Sequence, residues 1–334
     1  MRLFLRTLGR EEGALFGEYM QTGFGVYVQI AEILGRLGRR LGDVQKLLDF
    51  AAGYGRVVRF MLQDLPPERI TVADIDGDAV AFQTERFGVG GMVSSADPDG
   101  VDLQGPYDLI TCISLFTHLP APLFERWLVK LTAALTPGGL LLLTTQAPSL
   151  HEPGSSENYT FVPASESRSL DADIYGSTFV SSRYLADIVQ AQLTDRRILV
   201  TLPQTLNEHQ DVYVLGPASE PEVTVEAAEL TLPSVYLDGL LEEDGQVRFW
   251  GWSVSTYDNT PASRIRAYVN DSLVCEMGPS VERPDLAQRY GAGALHSGFE
   301  TRFRWREEMT TGVFAVEAED RRGLRARIFT QLSF

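Results

Sequence analysis

Cysteine is nearly absent. Cys112 and Cys275 are the only two in 334 residues, so neither a disulfide framework nor a cysteine-based metal site is supported. Both read as small buried hydrophobes. No apolar run approaches the roughly 18 residues that suggest a membrane span, and the run within Met1–Arg10 is too short for a secretory leader. A cytoplasmic protein without membrane insertion is the expectation. Lysine is also scarce, with only Lys46 and Lys130, so nearly all positive charge is arginine. Even so, Lys plus Arg is 29 against 45 for Asp plus Glu, a net charge of -16. Such a surface repels phosphate backbones and anionic lipid, which argues against a nucleic-acid partner.

What is present is ordinary globular material: 44% hydrophobic and 22% charged residues, in a length that suits two domains. Glu11 to Leu41 reads as helix with breaks at Gly23 and Gly25. Short apolar strands then alternate with helices. Strands are expected at Lys46–Phe50, Ile70–Ala73, Gly91–Ser94, Tyr107–Ile113 and Leu140–Thr145. Helices are expected at Arg56–Leu65, Asp78–Phe87, Pro122–Leu135 and Ser181–Gln192. Arg197–Leu202 and Gln210–Leu215 read as closing strands. Strand–helix alternation with near-continuous apolar strands implies an α/β fold with a doubly wound, mostly parallel sheet of the Rossmann-like kind. His151 to Asp173 is long, polar and irregular, in the manner of a lid.

Gly216 to Glu222 (GPASEPE) has linker composition, and beyond it the hydrophobic period becomes two. Strands are expected at Val247–Val254, Ile265–Val269, Leu273–Met277, Phe299–Phe303, Val313–Glu319 and Arg325–Leu332, with turns such as Asp244–Gly245 and Asn270–Asp271. The expected division is a first domain at 1–217, a linker at 218–224 and a smaller all-β sandwich at 225–334.

The segment Asp49-Phe-Ala-Ala-Gly53-Tyr-Gly55 follows the first strand and opens a helix, where glycine lets backbone approach a ligand. A nicotinamide cofactor favours G-x-G-x-x-G, and the third glycine is replaced by Val58. LLDFAAGYGR resembles the first motif of class I S-adenosylmethionine-dependent methyltransferases, with Ala51 in place of its first glycine. Ile70-Thr-Val-Ala-Asp74-Ile-Asp76 supplies an acid after the second strand, Asp74 matching the family's ribose ligand best and Asp76 lying close to it. Tyr107-Asp108-Leu-Ile and Leu135-Thr-Pro-Gly-Gly139 resemble the family's fourth-strand and post-helix motifs. The resemblance covers about residues 45–146. It implies S-adenosylmethionine as cofactor and S-adenosylhomocysteine as product. The implied contacts are Asp49, Ala51, Gly53, Tyr54, Gly55, Asp74, Ile75, Asp97 and Ser114. By itself Asp97, before Pro98, reads equally well as a turn former.

Ser114-Leu-Phe-Thr-His118-Leu-Pro120 follows the fourth strand, on the side where doubly wound sheets bind ligands. It resembles a stretch of a bacterial, glycan-associated methyltransferase subgroup. His118 is the first candidate base, because histidine titrates near neutrality; the alternative is a packing histidine. Asn207-Glu-His209-Gln-Asp211 resembles the same subgroup and brings His209 or Asp211 to the acceptor site, or caps a strand. Tyr159, Phe161, Tyr175 and Phe179 line an acceptor cleft or belong to the core. No metal constellation appears. Phe249-Trp-Gly-Trp252, Arg283-Pro-Asp285 and Ser297-Gly-Phe299 resemble sandwich modules fused to glycan-modifying transferases. Trp250 and Trp252 share a strand face, for sugar stacking or for packing, and Arg283–Asp285 reads as a salt bridge. The leading reading is methyl transfer to a hydroxyl or other polar group of a saccharide or small molecule. The alternatives are a non-catalytic glycan-binding scaffold and an NAD-dependent oxidoreductase.

Overall fold

The computed structural model describes residues 12–155, 157–164, 170–206, 209–304 and 311–333. Contacts divide the chain into two compact units: Ile30–Ala227, and the described residues up to Gln29 joined to Ala228–Phe334. The division after Ala227 falls just past the expected linker. The grouping of the N-terminal residues does not follow the expected first domain at 1–217, and the first helix shows why.

That helix, α1 (Glu12–Arg36), runs without a break through Gly23 and Gly25. Glycine weakens a helix interior but does not end it, and two glycines of α1, Gly17 and Gly25, have packing reasons. A Cβ on Gly17 would stand 2.7 Å from the Phe329 carbonyl oxygen, and one on Gly25 would be 3.3 Å from Leu232. Leu15, Tyr19, Phe24 and Tyr27 are buried along α1. Phe24 meets Phe329 edge-on, and the Arg327 guanidinium lies 4.5 Å over the Phe24 ring. A helical period announces an apolar stripe but not the surface that covers it.

In the Ile30–Ala227 unit the sheet strands are β1 (Leu47–Phe50), β2 (Ile70–Asp74), β3 (Gly90–Val93), β4 (Tyr107–Cys112) and β5 (Leu135–Gln146). A small pair, β6 (Tyr159–Val162) and β7 (Ser177–Val180), follows, and β8 (Arg196–Leu206) and β9 (Gln210–Pro217) complete the sheet. Its order is β3-β2-β1-β4-β5-β9-β8. β1 to β5 are parallel, and β9 runs antiparallel to both β5 and β8. The helices are α2 (Val58–Met61), α3 (Gly77–Phe87), α4 (Ala121–Ala133) and α5 (Ser182–Gln192). This is the expected Rossmann-like, mostly parallel sheet. The antiparallel β9 inside it departs from the 3-2-1-4-5-6 order of dinucleotide-binding folds, which weakens the oxidoreductase reading.

Phe124, Trp127, Leu128 and Leu131 of α4 share a core with Phe50, Leu141, Leu143 and Tyr213. The expected linker is a strap rather than a tether. Ala218 N–H donates to the Asp195 carbonyl, Val223 N–H to that of Leu199, and Glu220 pairs with Arg39. Within the expected lid region, Tyr159–Val162 forms a strand that pairs antiparallel with Ser177–Val180.

In the second unit β10 (Ser234–Glu243), β11 (Gln246–Ser255), β12 (Thr260–Pro261) and β15 (Gly298–Arg304) form one antiparallel sheet. β13 (Arg264–Val269), β14 (Ser272–Met277), β16 (Thr311–Glu319) and β17 (Arg325–Ser333) form the other. Val235, Val247 and Phe249 of the first share a core with Ile265, Ala267, Phe314 and Val316 of the second. Asp244–Gly245 and Asn270–Asp271 all take positive φ, the mirror-image turns that suit strand twist. The helix α6 (Pro284–Tyr290) and strand β10 go beyond the sequence expectation.

Candidate functional site

The strand order reverses between β1 and β4, and ligands of open α/β sheets bind there, beyond the carboxyl ends of the strands. The loop after β1 has an unusual backbone: Ala51, Gly53 and Gly55 have φ of 60°, 54° and 69°. Glycine takes such values at no steric cost; Ala51 does not, and is strained by its Cβ. A Cβ on Gly53 would meet nothing within 4 Å, whereas one on Gly55 would collide with Gln83 and Phe87.

Hydrogen bonds fix this loop from behind. Ala52 N–H donates to the Ala73 carbonyl and Gly53 N–H to Asp74 Oδ2, at 2.7 Å. The carbonyl of Gly53 accepts from Gln83 Nε2 at 2.7 Å, that of Tyr54 from Arg59 Nη2, and that of Gly55 from Arg59 Nε. Three successive carbonyls are thus held by side chains of α3 and α2.

The structure separates the two acids after β2. Asp76 is the N-cap of α3, accepting from the amides of Asp78 and Ala79. Asp74 is half-buried at the strand end. Its Oδ2 accepts from Gly53 and its Oδ1 from Asp76 N–H at 2.9 Å, which orients the carboxylate while leaving each oxygen further acceptor capacity. Burial raises its pKa, against these backbone hydrogen bonds. Beside it Ile75 is an exposed apolar side chain, and so is Val93 at the end of β3. Val93 had no sequence signal, because one exposed valine in a weak strand carries no pattern.

Asp49, inside β1, is 4% exposed. Thr111 Oγ1 donates to its Oδ1 at 2.7 Å. Burial nevertheless pushes its pKa up to about 7, with the Asp74 charge adding to the shift. Tyr54 packs against Phe82. Asp97 accepts from Asp99 N–H and pairs with Arg126 of α4 at 2.6 Å, which holds its pKa below the usual range. Its carboxylate thus has the turn-forming contacts of its alternative reading.

Ser114, just past β4, has φ 64°. Its N–H donates to Thr144 Oγ1, and its hydroxyl lies 3.0 Å from Gln210 Nε2. This contact ties the loop after β4 to the start of β9. Gln210 was not a sequence candidate, since a contact over 96 residues leaves no local signal. Four residues along the same loop, His118 Nδ1 stands 2.7 Å from the Gly176 carbonyl, and the ring stacks on Tyr175 at 4.6 Å. A carbonyl can only accept, so Nδ1 carries the hydrogen and the neutral ring has its basic lone pair on Nε2.

His209 is exposed in the turn between β8 and β9; its neighbours Asn207 and Glu208 lie outside the described residues. Asp211 is buried, pairs in register with Thr145, and accepts from Gln204 N–H at 2.8 Å. Burial raises its pKa. Of the four aromatics, Tyr159 hydrogen-bonds the Leu119 carbonyl and packs with Phe124 and Tyr184, a core role. Tyr175 and Phe179 stack on His118 and His151.

In the second unit Trp252 is buried, with Tyr236 stacked on it. The Gly239 backbone leaves the space that the Trp250 ring fills. Arg283 pairs with Asp285, as the sequence suggests, and also with Asp238.

Comparison with known proteins gives one family match and a set of distant structural likenesses. A family model described as a methyltransferase domain matches residues 18–192, just over half of the chain. No curated protein matches it. Among solved structures, the chain is similar to a 1,6-didemethyltoxoflavin-N1-methyltransferase of Burkholderia thailandensis bound to 1,6-didemethyltoxoflavin and S-adenosylhomocysteine. That likeness has 16% identity, covers 60% of this chain and 79% of the other, and has a TM-score of 0.43. It is also similar to a magnesium protoporphyrin IX methyltransferase of Synechocystis with bound S-adenosylhomocysteine, at 15% identity, 65% and 94% coverage, and a TM-score of 0.44. A third, an S-adenosylmethionine-dependent methyltransferase of Clostridium acetobutylicum, has 11% identity, 57% and 91% coverage, and a TM-score of 0.43.

Proposed function

The chain belongs to the methyltransferase-domain family, and from that premise we propose that it transfers a methyl group from S-adenosylmethionine to a hydroxyl of a saccharide or other polar small molecule. The observation that carries the cofactor side is the Asp49–Gly55 loop at the sheet's reversal point, with its carbonyls held from behind and Asp74 oriented beside it. The residues fit the cofactor. Open space at Gly53 admits a ligand against the backbone, Asp74 offers acceptor capacity to ribose hydroxyls, and Ile75 offers an apolar flank to a base. Ala51, Tyr54, Gly55 and Ser114 complete the proposed cofactor surface; Asp49, buried in β1 and bonded to Thr111, lies beneath the loop rather than on that surface. Asp97 would contribute through its turn.

When bound, S-adenosylmethionine supplies a methyl group already activated on a sulfonium. This chain's residues must then align the acceptor, exclude water and take up a proton. Alignment can contribute roughly 7–11 kcal/mol and a positioned base about 10²–10⁴-fold. His118 is the proposed base: its Nδ1–H is held by Gly176 and its ring by Tyr175, so Nε2 accepts the proton from the acceptor hydroxyl. Asp211, a buried carboxyl with a raised pKa, and His209 are the further candidates. A saccharide acceptor is supported by the sequence resemblance to glycan-associated methyltransferases around Ser114–Pro120 and His209–Leu215. Among the described residues no helix is long and apolar enough to cross a membrane.

The test is S-adenosylhomocysteine release with a panel of saccharides as acceptors. Turnover is expected with a hydroxyl-bearing sugar, reduced about 10²-fold or more in His118→Ala. Methylation of amine or carboxylate acceptors alone, or full activity in His118→Ala, contradicts the proposal.

A further inference from the structure

Gln83 is fully buried in α3, yet only half of its side-chain amide has a partner. Nε2 donates to the Gly53 carbonyl at 2.7 Å, while Oε1 is buried without a hydrogen bond. The orientation of the amide follows from its partner: a carbonyl accepts only, so the nitrogen must face Gly53. A methionine would fill a similar volume with no orphaned polar atom, so packing alone does not account for a glutamine here. The other end of the amide also meets the loop. Oε1 stands 2.6 Å from where a Cβ on Gly55 would lie, so the side chain spans both left-handed glycines.

We infer that Gln83 is a positioning residue that presets the Gly53–Gly55 turn and thereby sets the affinity for S-adenosylmethionine. The identity of that ligand rests on the proposed methyl-transfer reading. Gly53 has no Cβ to resist rotation of the Gly53–Tyr54 peptide. Without the Gln83 amide, that carbonyl is free to turn toward the ligand side of the loop, where its negative end opposes an anionic carboxylate. With the amide in place the carbonyl is held inward before any ligand arrives, and binding does not have to order it.

The experiment uses the full-length protein, Gln83→Met, and Val80→Ala as a control. Val80 is a buried residue of the same helix that faces Gly91. Calorimetric titration with S-adenosylhomocysteine should show Gln83→Met weakened by about tenfold, with Val80→Ala within about twofold of wild type. In the absence of ligand, hydrogen exchange of the backbone amides of residues 51–56 should be about tenfold faster in Gln83→Met, and unchanged in Val80→Ala. Wild-type affinity in Gln83→Met, an equal loss in Val80→Ala, or unchanged exchange in Gln83→Met overturns the inference. If wild type itself fails to bind S-adenosylhomocysteine, the methyl-transfer reading fails, and the exchange measurement alone judges the clamp.

Discussion

Two residues of the proposed cofactor loop have consequences that can be measured without a ligand. Asp49 keeps its proton to about pH 7 in the folded chain, against a usual value of 3.8. The folded state therefore binds the extra proton, and the stability this carboxyl contributes is full below about pH 4 and is lost as pH rises through 7. A shift of this size corresponds to about 4 kcal/mol. The stability of Asp49→Asn relative to wild type should accordingly rise from pH 5 to pH 8, measured by urea denaturation; a pH-independent difference contradicts it. Ala51 holds a positive φ, which strains an alanine. Ala51→Gly should relieve that strain and stabilise the fold by about 0.5–1 kcal/mol after the added chain entropy of glycine, again by denaturation. The sequence showed both positions as parts of a motif. It did not show that the departure at Ala51 leaves the left-handed backbone in place. It favoured Asp74 over Asp76 by resemblance alone, and only the structure shows that Asp76 is occupied as a helix cap while Asp74 ends the strand.

At the scale of elements, the parallel strands were legible because each is a short apolar run between helices. Their partners across the sheet were not. Thr136–Pro137–Gly139 reads as a turn motif, but the structure has it in the first residues of β5, where Arg196 of β8 holds it. That buried guanidinium donates to the carbonyls of Thr136, Pro137 and Gly139 at 3.1, 3.4 and 3.2 Å. Gly139 has no alternative there, since a Cβ would lie 2.6 Å from the Tyr107 carbonyl oxygen. Arg196→Met should leave these carbonyls without donors and destabilise the protein by about 2–3 kcal/mol in urea unfolding. A change under about 0.5 kcal/mol would show that water replaces the guanidinium. β10 escaped the sequence reading because its burial alternates poorly beyond the bulge after Leu237, so no period of two survives. The break expected in α1 failed for the opposite reason: Gly25 answers close packing against Leu232, which a local pattern cannot contain.

For the whole molecule, the net charge of -16 limits partners but identifies none. The division into Ile30–Ala227 and the remaining unit is not the one composition suggests, because linker-like residues are strapped to a fold and α1 contributes to both units. The proposed function rests on one end of one sheet, where the β1 loop, Asp74 and the loop after β4 lie at the reversal of strand order. The most direct measurement of that claim is calorimetric titration of S-adenosylhomocysteine into the full-length protein and into Asp74→Ala. Wild type should bind with a Kd in the micromolar range, and Asp74→Ala should bind about tenfold or more weakly. No binding to wild type at high micromolar concentration, or equal affinity in Asp74→Ala, contradicts it.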